Sequence, residues 1–278
     1  MTDHRQSKQA EKILALQRAD GSWGCFHSLS RGAVCTTEQA IRRLLILGYT
    51  LEDDCLRRVE IYLEDCLEKG EIPDRREKTH NWDIFVRMML ASWLRRLGSD
   101  SAAAKDIARK WAAVLTGAFH NGQYAQEEYN AAFQRVFGEK PRGGRLLDFV
   151  QPYILTLVNG FLDEETESRM FSYVLNHEPG MYYIYSAKLS EPPRVFQSRQ
   201  ANWYLSAVEL LALYPRQREK LRFVRDWLYA NQNEGGWDLG SLAKDGVNFP
   251  LSNDWRKKGA READCTERIL NLLRLLEA

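Results

Sequence analysis

The sequence predicts an all-α chain, an α/α toroid of about five helical hairpins whose inner helices ring an axis and whose outer helices surround them. Three observations carry this. A glycine followed two residues later by a bulky apolar residue recurs at Gly21/Trp23, Gly70/Ile72, Gly122/Tyr124, Gly180/Tyr182 and Gly235/Trp237, in steps of 49, 52, 58 and 55 residues. Each turn follows a charged amphipathic stretch and leads into a more apolar one. The apolar stretches mostly stop at helix breakers.

In chain order, the outer helices are expected at 8–18, 51–68, 102–119, 164–176 and 217–231, each ending near its glycine. The inner helices are expected at 36–47, 81–97, 146–158, 199–213 and 265–276, the first four stopped by Gly48, Gly98, Gly160 and Pro215. Thr36 with Gln39 reads as a capping box, and Asp264 with Glu267 as the same arrangement with an aspartate cap. TPR, HEAT and armadillo solenoids are also helical pairs, but their periods are shorter than these. The third and fifth repeats carry extra residues at 126–144 and between Trp237 and Thr266, read as long loops covering a cavity.

The 278 residues are read as one domain spanning 1–278. Lys+Arg 39 against Asp+Glu 38 leaves a net charge of +1, which gives no global basic field for nucleic acid. No transmembrane segment and no secretory signal are read, so a cytoplasmic location is expected. The five cysteines are odd in number and form no C-x-x-C pair, and they read as reduced, mostly buried thiols.

The first repeat contains ILALQRADGSWG and the last contains WLYANQNEGGWD. Gln17, Gly21 and Trp23, with Gln232, Gly235 or Gly236 and Trp237, resemble the QW repeat of squalene cyclases and of protein prenyltransferase β subunits. The resemblance covers the two terminal repeats. It implies a toroid with a central, often aromatic-lined cavity, which the enzymes of that superfamily use for isoprenoid substrates. In the repeat itself, the glutamine amide is expected to bond backbone groups at a helix end while the indole packs into the junction between hairpins.

The chemical motifs of that superfamily are incomplete. The acid motif Asp-x-Asp-Asp is matched only by Glu52-Asp53-Asp54, without its first aspartate, and Asp53 and Asp54 read as acids at a helix start. The zinc set of prenyltransferases is approached only by Asp264-Cys265, with the wrong spacing and no histidine before Ala278. No metal and no cofactor are expected. Cys265 at a helix start would have a lowered pKa, but a thiol beside Asp264 reads as buried and inert.

If every outer helix ends at its glycine turn, every inner helix starts on one face, and five positive helix ends surround one mouth. Arg142, Arg145, Arg199 and Arg256 fall near those starts and are candidates for holding an anionic end. Trp82, Trp203, Tyr204 and Trp255 are candidate lining residues for an apolar body. His80, Asp83, Tyr182 and Asp264 are candidates for proton transfer. The expected ligand is an elongated apolar small molecule of isoprenoid type with an anionic end, whether or not it is turned over, and a protein partner is left open. The alternatives are a polysaccharide lyase-like enzyme on a similar toroid, with His80 near a tyrosine and an arginine, and a noncatalytic interaction module.

Overall fold

The computed structural model describes residues 4–28, 34–78 and 81–278. Its named elements are all helical: α1 (Lys8–Leu14), α2 (Thr37–Ile46), α3 (Asp54–Lys69), α4 (Trp82–Leu97), α5 (Ala102–Ala118), α6 (Gln126–Phe137), α7 (Gly144–Leu147), α8 (Pro152–Val158), α9 (Glu164–Asn176), α10 (Arg199–Leu211), α11 (Arg222–Ala230) and α12 (Lys258–Glu277), with 3-10 turns at Pro215–Leu221 and Ser241–Ala243. Among the described residues no helix is long and apolar enough to cross a membrane.

Burial separates some of the predicted inner and outer helices, whereas α12, expected to be inner, buries only six of its twenty residues. Eleven of the sixteen residues of α4 and six of the seven of α8 are buried, against seven of sixteen in α3 and two of nine in α11. A helix buried nearly all round lies in the interior of its unit, and one with a wet face at its surface. The turns behave as read: the five recurring glycines have φ between 70° and 90°. At Gly21 a Cβ would also lie 2.5 Å from the Arg58 carbonyl oxygen, so that turn has no room for a side chain. The capping box forms in both directions, Thr36 N–H to Gln39 Oε1 at 3.1 Å and Gln39 N–H to Thr36 Oγ1 at 3.2 Å. Thr36→Ala removes one half of it, and a loss of about 1 kcal/mol is expected in a denaturant titration.

Four expectations need correction. The predicted inner helix 146–158 is two pieces, α7 and α8, because Gln151 precedes Pro152 and is extended at φ −147°, ψ 154°. The predicted loop 126–144 is largely α6, whose Tyr129, Ala132 and Phe133 are buried at helical spacing. The last inner helix starts at Lys258 instead of Cys265, which puts Asp264 in its interior and removes the proposed cap. Cys265 therefore lies away from the helix start, while the reading of it as a buried, inert thiol agrees with its burial, which pushes the thiol up to about 12.

The chain divides into two compact units, Met1–Lys12 with Ile46–Gly48 and Val174–Ala278, and Ile13–Leu45 with Tyr49–Tyr173. In the first unit the two ends of the chain meet. His4 Nε2 lies 3.0 Å from Glu267 Oε2, and the Lys8 N–H donates to Asn253 Oδ1 at 3.3 Å. The second unit is built around α4, which packs against α3, α5 and α8.

Candidate functional site

The tryptophans of the resembling motif serve the fold. Trp23 Nε1 donates to the Ile13 carbonyl at 2.7 Å, and its backbone N–H to Thr37 Oγ1 at 3.0 Å. Trp237 repeats both bonds, to Leu228 O at 2.7 Å and Thr266 Oγ1 at 2.9 Å. The Gln17 amide donates to the carbonyls of Gly21 and Cys55 at 3.0 and 2.9 Å, the backbone role expected of it. The recurring Asn-Trp pairs share a second device. Asn81 Nδ2 donates to Glu139 Oε2 and the Lys140 carbonyl, and Asn202 Nδ2 to Asp245 Oδ2 and the Ala243 carbonyl. Each buried asparagine thus ties down the insertion of its own compact unit, one polar group satisfying another.

A further buried polar cluster lies in the second unit and centres on Glu38, the second residue of α2. Its Oε1 accepts from Tyr153 OH at 2.7 Å, Arg42 Nη2 at 3.1 Å and Trp93 Nε1 at 3.3 Å, and its Oε2 lies 2.9 Å from His27 Nδ1. Burial pushes the carboxyl upward, but the bonds from His27 and Tyr153 and the charges of Arg42 and His27 outweigh it, and the net shift is downward. Glu38 is therefore held as a carboxylate in a nearly dry site.

His27 is fixed from two sides. Its ring meets Glu38, while the Asp74 carboxylate accepts the backbone N–H groups of Phe26, His27 and Ser28 at 2.5, 2.9 and 2.6 Å. The imidazole stands edge-on to Phe85 and Tyr153, with centroids 5.8 and 6.5 Å away, and Trp82 lies 5.9 Å from Phe85. Arg145 caps this wall, its guanidinium 4.8 Å from the Phe85 centroid and 3.3 Å from Glu77 Oε1. One end of the arrangement is aromatic, the other carries a histidine on a carboxylate, and an arginine borders it.

Of the residues selected from the sequence, Trp82 and Arg145 belong to this cluster. His80 lies outside the described residues. Asp83 is exposed and held by both terminal nitrogens of Arg76, at 3.0 and 2.8 Å. Arg142 is exposed, 3.6 Å from Glu139. The others lie in the first unit. Asp264 is buried, accepting from the Leu251 and Ser252 N–H groups and the Ser252 hydroxyl at 2.8–3.0 Å, which makes it an anchor for the preceding loop. Tyr204 is fully buried and donates to the Leu189 carbonyl, and Trp255 is buried against Phe249. Arg199 donates to the Leu242 carbonyl, Trp203 and Tyr182 are partly exposed, and Arg256 is exposed.

Sequence reasoning missed Glu38, His27 and Tyr153. A signal existed: Thr37-Glu38 recurs as Thr266-Glu267, and both glutamates meet a histidine. A lateral groove of about 560 Å³ in the same unit is lined by Glu64, Glu68, Arg87, Asp106 and Lys110 among others, none of them part of this cluster. Among the described residues no group of three or more His, Cys, Asp or Glu side chains is placed to hold a metal. Compared with known protein families, curated proteins and solved structures, the chain matches none.

Proposed function

We propose that the chain is an α/α toroid of the prenyltransferase and squalene-cyclase type that binds an elongated apolar small molecule, of isoprenoid class, with an anionic end. The toroid reading is supported by the meeting of His4 with Glu267 and of Lys8 with Asn253, which brings the first and last stretches of the chain together within the first unit. The observation that carries the ligand reading is the buried aromatic cluster of Trp82, Phe85 and Tyr153, bordered by Arg145. Aromatic faces take an apolar body, and a guanidinium that exchanges its contact with Glu77 for a diphosphate or carboxylate fixes the end.

Calorimetric titration with farnesyl diphosphate tests this. Binding is expected, with Arg145→Gln weakening it by about tenfold or more, the loss of one charge-assisted bond. Absence of binding to the folded protein contradicts the reading.

A second reading, a polysaccharide lyase-like enzyme, is favoured by one contact. A histidine does lie beside a tyrosine, His27 Nδ1 being 3.4 Å from Tyr153 OH, with Arg42 on the same carboxylate. An acidic oligosaccharide in the same titration, followed for the ultraviolet absorbance of an unsaturated product, separates the two.

A further inference from the structure

We propose that the start of α10 and the turn packed against it form a docking surface for membranes that carry anionic lipid headgroups. This surface is separate from the cluster around Glu38 and does not depend on the ligand reading above.

The surface lies within the first compact unit, where residues 240–245 run beside the start of α10. The turn is fastened there by its backbone. Arg199 Nε donates to the Leu242 carbonyl at 3.0 Å, Asn202 Nδ2 to the Ala243 carbonyl at 2.8 Å, and Trp255 Nε1 to the Ser241 carbonyl at 3.4 Å. A Cβ on Gly240 would lie 3.2 Å from Gln197 Cβ, so the turn also meets the stretch that leads into the helix. With three successive carbonyls held, the Leu242 side chain stays outside, 66% exposed. Val195, whose carbonyl accepts the hydroxyl of the N-cap Ser198 at 2.7 Å, is 63% exposed, and Trp203, one turn along α10 from Arg199, is 43% exposed. Single exposed apolar side chains are ordinary, but three of them grouped about Arg199 on a tethered backbone mark an interaction site.

The charges around the patch select its occupant. Arg194, Arg199 and Lys244 are exposed in the same segments, and none of them is paired with a carboxylate among the described residues. No exposed residue of 194–203 or 240–246 is acidic. Asp245, the one acid of these segments, is turned inward and accepts the N–H groups of Val247, Asn248 and Phe249 at 2.8–3.1 Å. In a chain whose net charge is only +1, this is a local concentration of positive charge. A second copy of the same face would set these cations against their own kind across a two-fold axis. An anionic bilayer takes all the parts at once: the indole at headgroup level, the leucine and valine below it, and the guanidinium and ammonium groups on the headgroup charges. Leu242 and Val195 project far enough from their turns to enter such a fluid interface without a preformed pocket in the partner.

Co-sedimentation of the full chain with sucrose-loaded vesicles tests this. Vesicles of equal parts phosphatidylcholine and phosphatidylserine are expected to bind the protein at least about tenfold more tightly than vesicles of phosphatidylcholine alone, three cations acting together. Lys244→Gln is expected to weaken binding to the mixed vesicles by about fivefold, the share of one cation. Leu242→Glu, which puts a carboxylate at the centre of the patch, is expected to weaken it by about tenfold or more, and Trp203→Ala to weaken it measurably. All three side chains are exposed, and circular dichroism checks that each variant is folded. The vesicles carry no isoprenoid, so their binding is read separately from calorimetry with farnesyl diphosphate, which the three variants are expected to leave unchanged. No binding to the mixed vesicles, equal binding to both kinds, or binding that Leu242→Glu leaves intact overturns the proposal. A lipid-free dimer in sedimentation velocity that Leu242→Glu dissociates also overturns it, and assigns the patch to a second copy of the chain.

Discussion

Glu38→Ala is expected to lower the free energy of unfolding by about 3–5 kcal/mol, the cost of removing one partner from a buried ionic cluster. The loss does not come from buried apolar area. It comes from Tyr153, Trp93 and His27, whose N–H and O–H groups lose the buried carboxylate that accepts them. Glu38→Gln keeps one oxygen and is expected to cost about 1–2 kcal/mol less. The pH dependence has a definite sign. The folded carboxyl titrates below its unfolded counterpart, so its contribution is complete above the ordinary carboxylate range and is lost as the pH falls through the depressed folded value. Urea titrations across the acid range should therefore show the difference between unsubstituted and Glu38→Gln protein shrinking as the solution becomes more acid.

Trp237→Ala is expected to cost about 3–5 kcal/mol, in the range of large-to-small substitutions at fully buried aromatic positions. Trp237 is 1% exposed, and the substitution also leaves the Leu228 carbonyl without the indole donor. Trp23→Ala should fall in the same range, because it makes the same two bonds from the other end of the chain. Trp203→Ala is the control. That side chain is 43% exposed, and its loss is expected to lie within about 0.5 kcal/mol of zero by the same thermal or denaturant measurement.

The contrast between Trp237 and Trp203 shows what the sequence made legible. The glycine turns, the alternation of wet and dry helices and the capping box at Thr36 are local devices, and each is written within a few residues of where it acts. The misplaced boundaries also had local causes. The first two turns of α12 bury none of their side chains before Asp264, so the apolar rhythm begins only there. Pro152 was a visible break inside the span read as one helix.

The site was less legible because its chemistry is tertiary. Glu38 and Tyr153 are separated by 115 residues, and nothing near either one announces the bond between them. A glutamate in the first turn of a helix ordinarily reads as a partner of the helix dipole. Only burial turns it into the acceptor around which four side chains are arranged. Trp82 and Arg145 were selected by their place at helix starts, and they do border the cluster, whereas Asp264 had the right charge but is an anchor for a loop. Position in the repeat thus placed two of the selected residues beside the cluster, and long-range packing set its members.

A crystal structure of the protein grown with farnesyl diphosphate would test the whole account at once. It should show the hairpins closed into a ring, with the hydrocarbon chain along Trp82 and Phe85 and the diphosphate on Arg145. An open array, or a probe bound away from His27, would contradict it.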